Sequence, residues 1–252
     1  MKFFRTKKSV DIRGRVWQLD SLRGAAMILM AVFHLLVDLR DFFAYADIPY
    51  FSPPWSYIGR TSAILFMLIS GVSCRFSKNN LRRGLKVLLC GLLVTAATFF
   101  VVPEVYIRFG ILHFLGCAMV LTGLLDRALR TETQKRVFLW IAVPVSLAAG
   151  QFFARARTEL PFLFPLGLIT DTFVSYDYYP LFPWLGLFLA GFLVGGAVSR
   201  NRERLAAFHE NRAARALGTL GRYSLPFYLL HQPALLLLLY LGGLLFPIIF
   251  HL

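Results

Sequence analysis

The sequence predicts an all-α integral membrane protein, a bundle of about seven transmembrane helices. Of its 252 residues, 58% are hydrophobic and only 16% are charged, and the mean hydropathy is +0.64, which is too apolar for a soluble domain of this size. Apolar runs recur along the whole chain. Because every backbone amide in hydrocarbon must be satisfied within its own element, helices of about 20 residues are expected. The alternating polar and apolar residues of a membrane β-barrel are absent from the sequence.

The apolar windows indicate seven spans within one domain that covers residues 1–252, since no internal repeat or long linker divides the chain. The first run is expected to be a retained helix and not a cleaved signal peptide, because no small-residue cleavage site follows it. The connection 154–180 is rich in aromatic residues and proline, which predicts order against the bundle. The predicted spans are 20–39, 58–75, 85–102, 108–125, 137–153, 181–198 and 223–245.

Basic residues are distributed unequally between the connections. Of 27 Lys and Arg residues, 22 fall in segments that lie on one side of the predicted bundle. By the positive-inside rule this side is cytoplasmic, so the N-terminus is predicted inside and the C-terminus outside. The same distribution explains the net charge of +14, because a basic cytoplasmic face meets anionic lipid. The charge therefore does not indicate a nucleic-acid-binding protein. The four basic segments are the leader to Arg23, 75–86, 126–136 and 199–222.

The three cysteines predict neither a disulfide framework nor a metal site. Cys74, Cys90 and Cys117 lie in or beside predicted spans, without paired spacing or a metal-binding pattern.

Ionisable residues form a line along the first predicted helix. Arg23 and His34 are eleven positions apart, which places them within about 20° around the helix and about 16 Å along it. Asp20 and Asp38 extend the line by one turn at either end. We hypothesise that Asp38 binds one ring nitrogen of His34 and leaves the other as a general base. The alternative is an interhelical hydrogen bond for His34 and an Arg23 that snorkels to lipid phosphate.

The last predicted helix carries a second polar line. His231 lies near mid-membrane, on the same helix face as Ser224 and Tyr228. Pro226 and Pro233 interrupt this helix, and freed carbonyl groups in a membrane need protein or water as partners. The pattern fits two interpretations equally: a wet cavity beside His231, or a packing kink with a satisfied histidine.

Five segments together resemble a known enzyme family. They are residues 19–26 with His34 downstream, 66–73, 108–116, 176–184 and 224–233. The composite resembles the bacterial relatives of the heparan-α-glucosaminide N-acetyltransferase catalytic domain. The first helix is also similar to that of the type-3 acyltransferases, in which an arginine, ten residues and a histidine recur. The resemblance implies transfer of an acetyl or other acyl group from cytoplasmic acyl-CoA to a sugar hydroxyl or amine reached from the opposite side.

The resemblance also implies the setting of the reaction. Acetyl-CoA is the expected co-substrate, without a metal, and the bacterial inner membrane is the expected location. A sugar or glycan acceptor and membrane lipid are the expected partners, nucleic acid is not, and a homo-oligomer is an open possibility. A proton-coupled transporter or flippase that uses the mid-membrane histidines is the principal rival interpretation, and a catalytically silent scaffold is a third.

The chain departs from the lysosomal member of the family at one important position. There, asparagine stands where this chain has His34, and the catalytic histidine lies in the following loop, whereas residues 44–55 here contain no histidine. His34 matches the type-3 pattern instead. It is therefore expected to act as general base or acyl carrier, with Arg23 guiding the pantetheine arm or steadying negative charge, and with Asp38 and His231 as further catalytic candidates.

Expected binding residues lie at both sides of the membrane. Four basic residues near the turn 75–86 are expected to hold the phosphates of CoA, although positive-inside bias explains them equally. On the acceptor side, substrate binding by His113 and Arg108 has as its alternative an interfacial histidine with an anchoring arginine. For Asp177 the alternative is an N-terminal helix cap. The expected phosphate ligands are Arg75, Lys78, Arg82 and Arg83, together with Arg23, and the expected acceptor ligands are His113, Arg108, Asp177 and Tyr228.

Overall fold

The computed structural model describes residues 16–43 and 48–245, and this part of the chain is helical, with no β-strand. Seven of its helices are long and apolar enough to cross a membrane, which confirms the predicted fold class. The seven are α1 (Trp17–Asp41), α2 (Trp55–Cys74), α3 (Asn80–Val101), α4 (Ile111–Ala128), α5 (Glu132–Phe153), α6 (Leu181–Arg200) and α9 (Ser224–Leu245). The shorter ones are α7 (Arg202–Ala206), α8 (Arg212–Arg222) and a 3-10 helix (Pro161–Leu166).

Three helices with capping hydrogen bonds start at other residues than predicted. Helix α3 starts at Asn80, ahead of the predicted 85, where the Asn79 side chain accepts from the Arg82 amide at 2.9 Å. Helix α5 starts at Glu132, ahead of the predicted 137, because the Thr131 hydroxyl accepts from the Gln134 backbone amide at 3.2 Å and the Gln134 side chain accepts from the Thr131 amide. Helix α4 starts at Ile111 and not at 108, because the backbone amide of Gly110 donates to the His113 ring and ends the preceding loop. Apolar windows do not register these local hydrogen bonds.

Helix α8 lies in the segment 199–222, which the sequence had suggested only as a basic connection. It is strongly amphipathic and packs along the start of α1. The approach is close enough that a side chain at Gly24 would overlap the carbonyl group of Leu217, and one at Gly221 would overlap that of Asp20. Glycines at both contacts therefore allow the two backbones to meet.

The core of the bundle lies between α2, α4 and α6. Phe114, Phe188, Phe192 and Met67 are fully buried there. Helices α3, α5 and α9 instead bury few of their side chains, as expected for helices that face lipid.

The bundle has two ends, which we call the basic side and the opposite side. The basic side carries the start of α1 and the end of α2, and the opposite side carries the end of α1 and the connection 154–180. That connection is ordered, as predicted: the Tyr178 hydroxyl donates to the Phe164 carbonyl at 2.6 Å, and the Tyr176 hydroxyl donates to Asp41 at 3.2 Å.

Candidate functional site

Two histidines from the first and the last spans meet inside the bundle. The rings of His34 on α1 and His231 on α9 are 4.9 Å apart between centroids and are nearly perpendicular, at 78°. His231 is buried and His34 is partly buried. The polar lines that the sequence indicates on two separate helices therefore face each other.

A hydrogen bond between Asp38 and Gln232 lies beside the histidines. The Gln232 side-chain amide donates to Asp38 Oδ1 at 2.6 Å, and the His34 ring also lies next to Gln232. This corrects the expected pairing of Asp38 with His34. Asp38 is one turn from His34 on the same helix, but α9 brings the amide of Gln232 to the carboxylate instead.

His231 is held in a defined orientation by its own helix. Its Nδ1 lies 2.6 Å from the backbone carbonyl oxygen of Tyr228. Because a carbonyl oxygen only accepts, we assign the ring proton of neutral His231 to Nδ1, which leaves the lone pair on Nε2.

Three polar atoms at this place are buried without a hydrogen-bond partner in the part of the chain that the structure describes. They are Asp38 Oδ2, His231 Nε2 and Gln232 Oε1. A buried polar atom without a hydrogen bond costs free energy, so such atoms commonly bind water or a ligand. The cluster of His34, Asp38, His231 and Gln232, here called the histidine site, is therefore suited to receive a small polar group.

Polar side chains continue from the histidine site to the opposite side. Asp41 follows Asp38 by nearly one turn of α1, and its Oδ2 accepts from the hydroxyls of Tyr50 at 2.7 Å and Tyr176 at 3.2 Å. Burial, together with the bond to Asp41, raises the pKa of Tyr50 to about 12, so this hydroxyl remains protonated at neutral pH. Gln232, Asp41 and Tyr50 were not among the site residues expected from sequence. Asp41 could have been found there, because it follows Asp38 by three positions and so lies on the same face of α1.

At the basic side, Arg23 and Arg83 meet at one residue of α2. Arg23 donates to the Ser73 hydroxyl at 2.6 Å and to Asp20 Oδ1 at 3.2 Å. Arg83 donates to the Ser73 carbonyl at 3.5 Å, the long limit of a hydrogen bond. Two guanidinium groups thus flank Ser73. One of them belongs to Arg23, which is about 16 Å from His34 along α1.

The other expected phosphate ligands lie elsewhere. Arg75 turns towards α5 and α6, where it pairs with Glu132 and covers the ring of Phe192 at 4.9 Å. Lys78 and Arg82 are exposed near the start of α3. The four basic residues that sequence grouped together therefore do not form one cluster, because Arg75 follows the end of α2, Lys78 lies in the turn, and Arg82 and Arg83 lie at the start of α3.

His113 is a buried residue with both ring nitrogens engaged by the protein. Nδ1 accepts from the Gly110 amide at 3.2 Å, and Nε2 lies 3.1 Å from the Thr95 hydroxyl, which donates to the Ile107 carbonyl at 2.7 Å. These bonds close the start of α4 and join it to α3. They leave no free ring nitrogen for an acceptor, contrary to the expected substrate-binding role.

Arg108 and Asp177 lie at the opposite side, in the expected region. The Arg108 guanidinium carbon is 4.9 Å from the ring centroid of Tyr106 and 5.4 Å from that of Phe173. Asp177 accepts from the Ile111 amide at 3.1 Å, so it caps α4 and not the helix that follows it.

Asp177 is also linked to the predicted acceptor residue Tyr228. Its carboxylate interacts electrostatically with the Tyr228 hydroxyl. Burial raises the pKa of Asp177 to about 6, although the bond from Ile111 opposes the shift.

The fold and the site together define a multi-pass membrane protein with a buried two-histidine site that joins its first and last spans. The family model for heparan-alpha-glucosaminide N-acetyltransferase, catalytic, matches residues 15–233, and the chain belongs to that family. Searches of curated proteins and of solved structures gave no match. Family membership makes the chain a transmembrane acetyltransferase.

Proposed function

We propose that the chain moves an acetyl group from acetyl-CoA to a hydroxyl or amine of a sugar or glycan, at the histidine site. The observation that carries this proposal is the convergence of His34, His231, Asp38 and Gln232, with three of their buried polar atoms unpaired. A reacting hydroxyl or amine would supply the missing hydrogen-bond partners. Family membership supports the acetyl group as the one transferred.

The donor is proposed to bind at the basic side, which the positive-inside rule predicts to be cytoplasmic. The membrane is proposed to be a bacterial inner membrane. Arg23 and Arg83, which flank Ser73, are the best placed cations for the phosphates of CoA. From there the pantetheine arm has about 16 Å to cross along α1 before its thioester reaches His34.

Two routes of transfer fit the histidine site. In direct transfer, an imidazole nitrogen takes the proton of the acceptor, whose oxygen or nitrogen attacks the thioester carbon; the C–S bond breaks and the thiolate takes a proton. In the other route the His34 nitrogen attacks the thioester carbon, CoA leaves as thiol, and the acyl-imidazole then passes its acyl group to the acceptor.

His34 is the first candidate for base or acyl carrier, and His231 Nε2 is the second. Arg23 lies too far along α1 to contact the thioester carbon in this arrangement, so the donor to the developing oxyanion is proposed to come from the histidine site itself, with the Gln232 amide as a candidate.

The acceptor is proposed to enter from the opposite side, past Asp41, Tyr50 and Tyr176. Carboxylate and phenol groups suit sugar hydroxyls, and exposed aromatic rings suit the apolar faces of sugars. Arg108, Asp177 and Tyr228 are proposed to contact the acceptor. His113 is not proposed to do so, because both of its ring nitrogens are engaged by the protein.

The test is turnover of acetyl-CoA by the purified protein in nanodiscs, measured as free thiol with a panel of amino sugars and glycans. We expect His34→Ala and His231→Ala to lose turnover, and the exposed His209→Ala to keep it. Thiol released before acceptor is added, in an amount equal to the enzyme, would identify the acyl-imidazole route. Unchanged turnover in a folded His34→Ala would remove this residue from the chemistry. Proton-coupled solute uptake without acyl chemistry would favour the transporter instead.

A further inference from the structure

A cavity of about 170 Å³ lies between α5 and α6 at the basic side. It is bounded by the first three turns of α5 and the end of α6, and so lies at the level where spans leave the hydrocarbon. Its wall combines cationic and apolar side chains with one carboxylate, that of Glu132. The lining includes Arg75, Lys135, Arg136, Trp140, Gly196 and Arg200.

Two guanidinium groups converge over a glycine in this cavity. A Cβ atom at Gly196 would lie 3.4 Å from Arg75 Nη2 and 3.8 Å from Arg200 Nη1. The two like charges are therefore at most about 7 Å apart, a distance at which they repel unless an anion lies between or beside them. The absence of a side chain at Gly196 keeps this space open.

The positive charge of the cavity exceeds the negative charge beside it. Arg75 and Lys135 share Glu132, and Lys135 also pairs with Asp126 at 2.8 Å. For Arg136 and Arg200, the described residues include no carboxylate partner. An incoming anion over Gly196 would thus meet Arg200, which has no carboxylate partner among the described residues, and would share Arg75 with Glu132.

The rest of the cavity is apolar and continues onto the lipid-facing surface. The Trp140 side chain lines the cavity and is 66% exposed, and Ile141 and Val137 beside it on α5 are 61% and 57% exposed. A ligand bound here would have its charged part over Gly196 and an apolar part along α5. A freely soluble phosphate uses only the first of these features.

We propose that this cavity binds the phosphate of an anionic phospholipid headgroup, with the acyl chains along α5. Basic pockets between spans at the cytoplasmic surface suit such headgroups, and tryptophan is favoured at the same level of the membrane. The site is separate from the proposed donor site, because Arg23 and Arg83 meet at Ser73, whereas Arg75 turns away towards Glu132. The inference does not depend on the acetyl transfer reaction.

The experiment measures binding of phosphatidylglycerol to the purified full chain in detergent, by native mass spectrometry and by thermal stabilisation, with phosphatidylcholine for comparison. Arg200→Gln removes a cation, and Gly196→Leu fills the space while keeping every charge. We expect each to weaken phosphatidylglycerol binding about tenfold, the effect of losing one charge-assisted contact. Arg202→Gln is the matched control, an exposed arginine two residues away that does not line the cavity.

Three outcomes would overturn the proposal. Equal binding of the two lipids would show that charge is not recognised, and equal weakening by Arg202→Gln would show that only general surface charge matters. Displacement of phosphatidylglycerol by inorganic pyrophosphate or CoA, at the concentration at which each binds alone, would assign the cavity to a soluble phosphate. Because Arg200 is exposed, Arg200→Gln is expected to fold even if Gly196→Leu does not.

Discussion

The partly buried carboxyl group of Asp177 should make the stability of the protein depend on pH in a defined direction. Its pKa is raised from 3.8 to about 6, so the folded state binds the proton more tightly than the unfolded state. Stability therefore falls as the pH rises from 3.8 to 6 and changes little above that. The full penalty is about 3 kcal/mol, of which about 1 kcal/mol develops between pH 5 and 7.

The variant Asp177→Asn isolates this effect, because its amide oxygen still accepts from the Ile111 amide but does not titrate. Thermal unfolding in detergent at pH 5 and pH 7 is the assay. The Tm of the variant relative to wild type should be higher at pH 7 than at pH 5 by about 3 °C. Asp171→Asn is the control, since that carboxylate is exposed and should follow wild type at both pH values. A Tm difference for Asp177→Asn that is equal at the two pH values would refute the reasoning.

Two further predictions concern the roles of histidine and glutamine. His113→Ala should lower the Tm, because it removes two hydrogen bonds and leaves a void between α3 and α4, at a cost of about 2 to 4 kcal/mol of stability. Thr95→Val, which removes one of these bonds, should cost about 1 kcal/mol. If either folded variant instead raises the KM for the acceptor, His113 takes part in substrate binding. Gln232→Leu leaves Asp38 without its donor and removes the candidate donor to the oxyanion, so kcat should fall about 10- to 100-fold with a smaller change in KM. An unchanged kcat in steady-state assays would exclude both roles of Gln232.

The number and approximate position of the spans were predictable because lipid imposes one simple requirement, a long apolar helix with its own backbone bonds. Helix α8 was missed because it is short and highly charged, and it is held by glycine contacts with α1 that no local pattern encodes. Helix starts were displaced for a similar reason. Caps such as Thr131 lie outside the apolar windows used to place α5.

The candidate site was only partly predictable. His34 and His231 stand out because ionisable groups inside spans are rare, but nothing in sequence spacing shows that α1 and α9 are neighbours. The Asp38 partner was misassigned for this reason: spacing compares residues on one helix, whereas Gln232 comes from another, 194 positions away.

The positions of the tyrosines and histidines restrict what the proposed acceptor must be. Asp41 is bound by Tyr50 from the loop before α2 and by Tyr176 from the connection before α6, so two separate segments close over the end of α1. The histidine site lies deeper, with His34 about 10 Å along α1 from Asp41. If the acceptor enters here as proposed, a large glycan would not reach this depth as a whole, and only a terminal hydroxyl or amine on a narrow end would reach the imidazoles. The enzyme would then select its acceptor by the shape of that end, while the remainder stays outside the bundle.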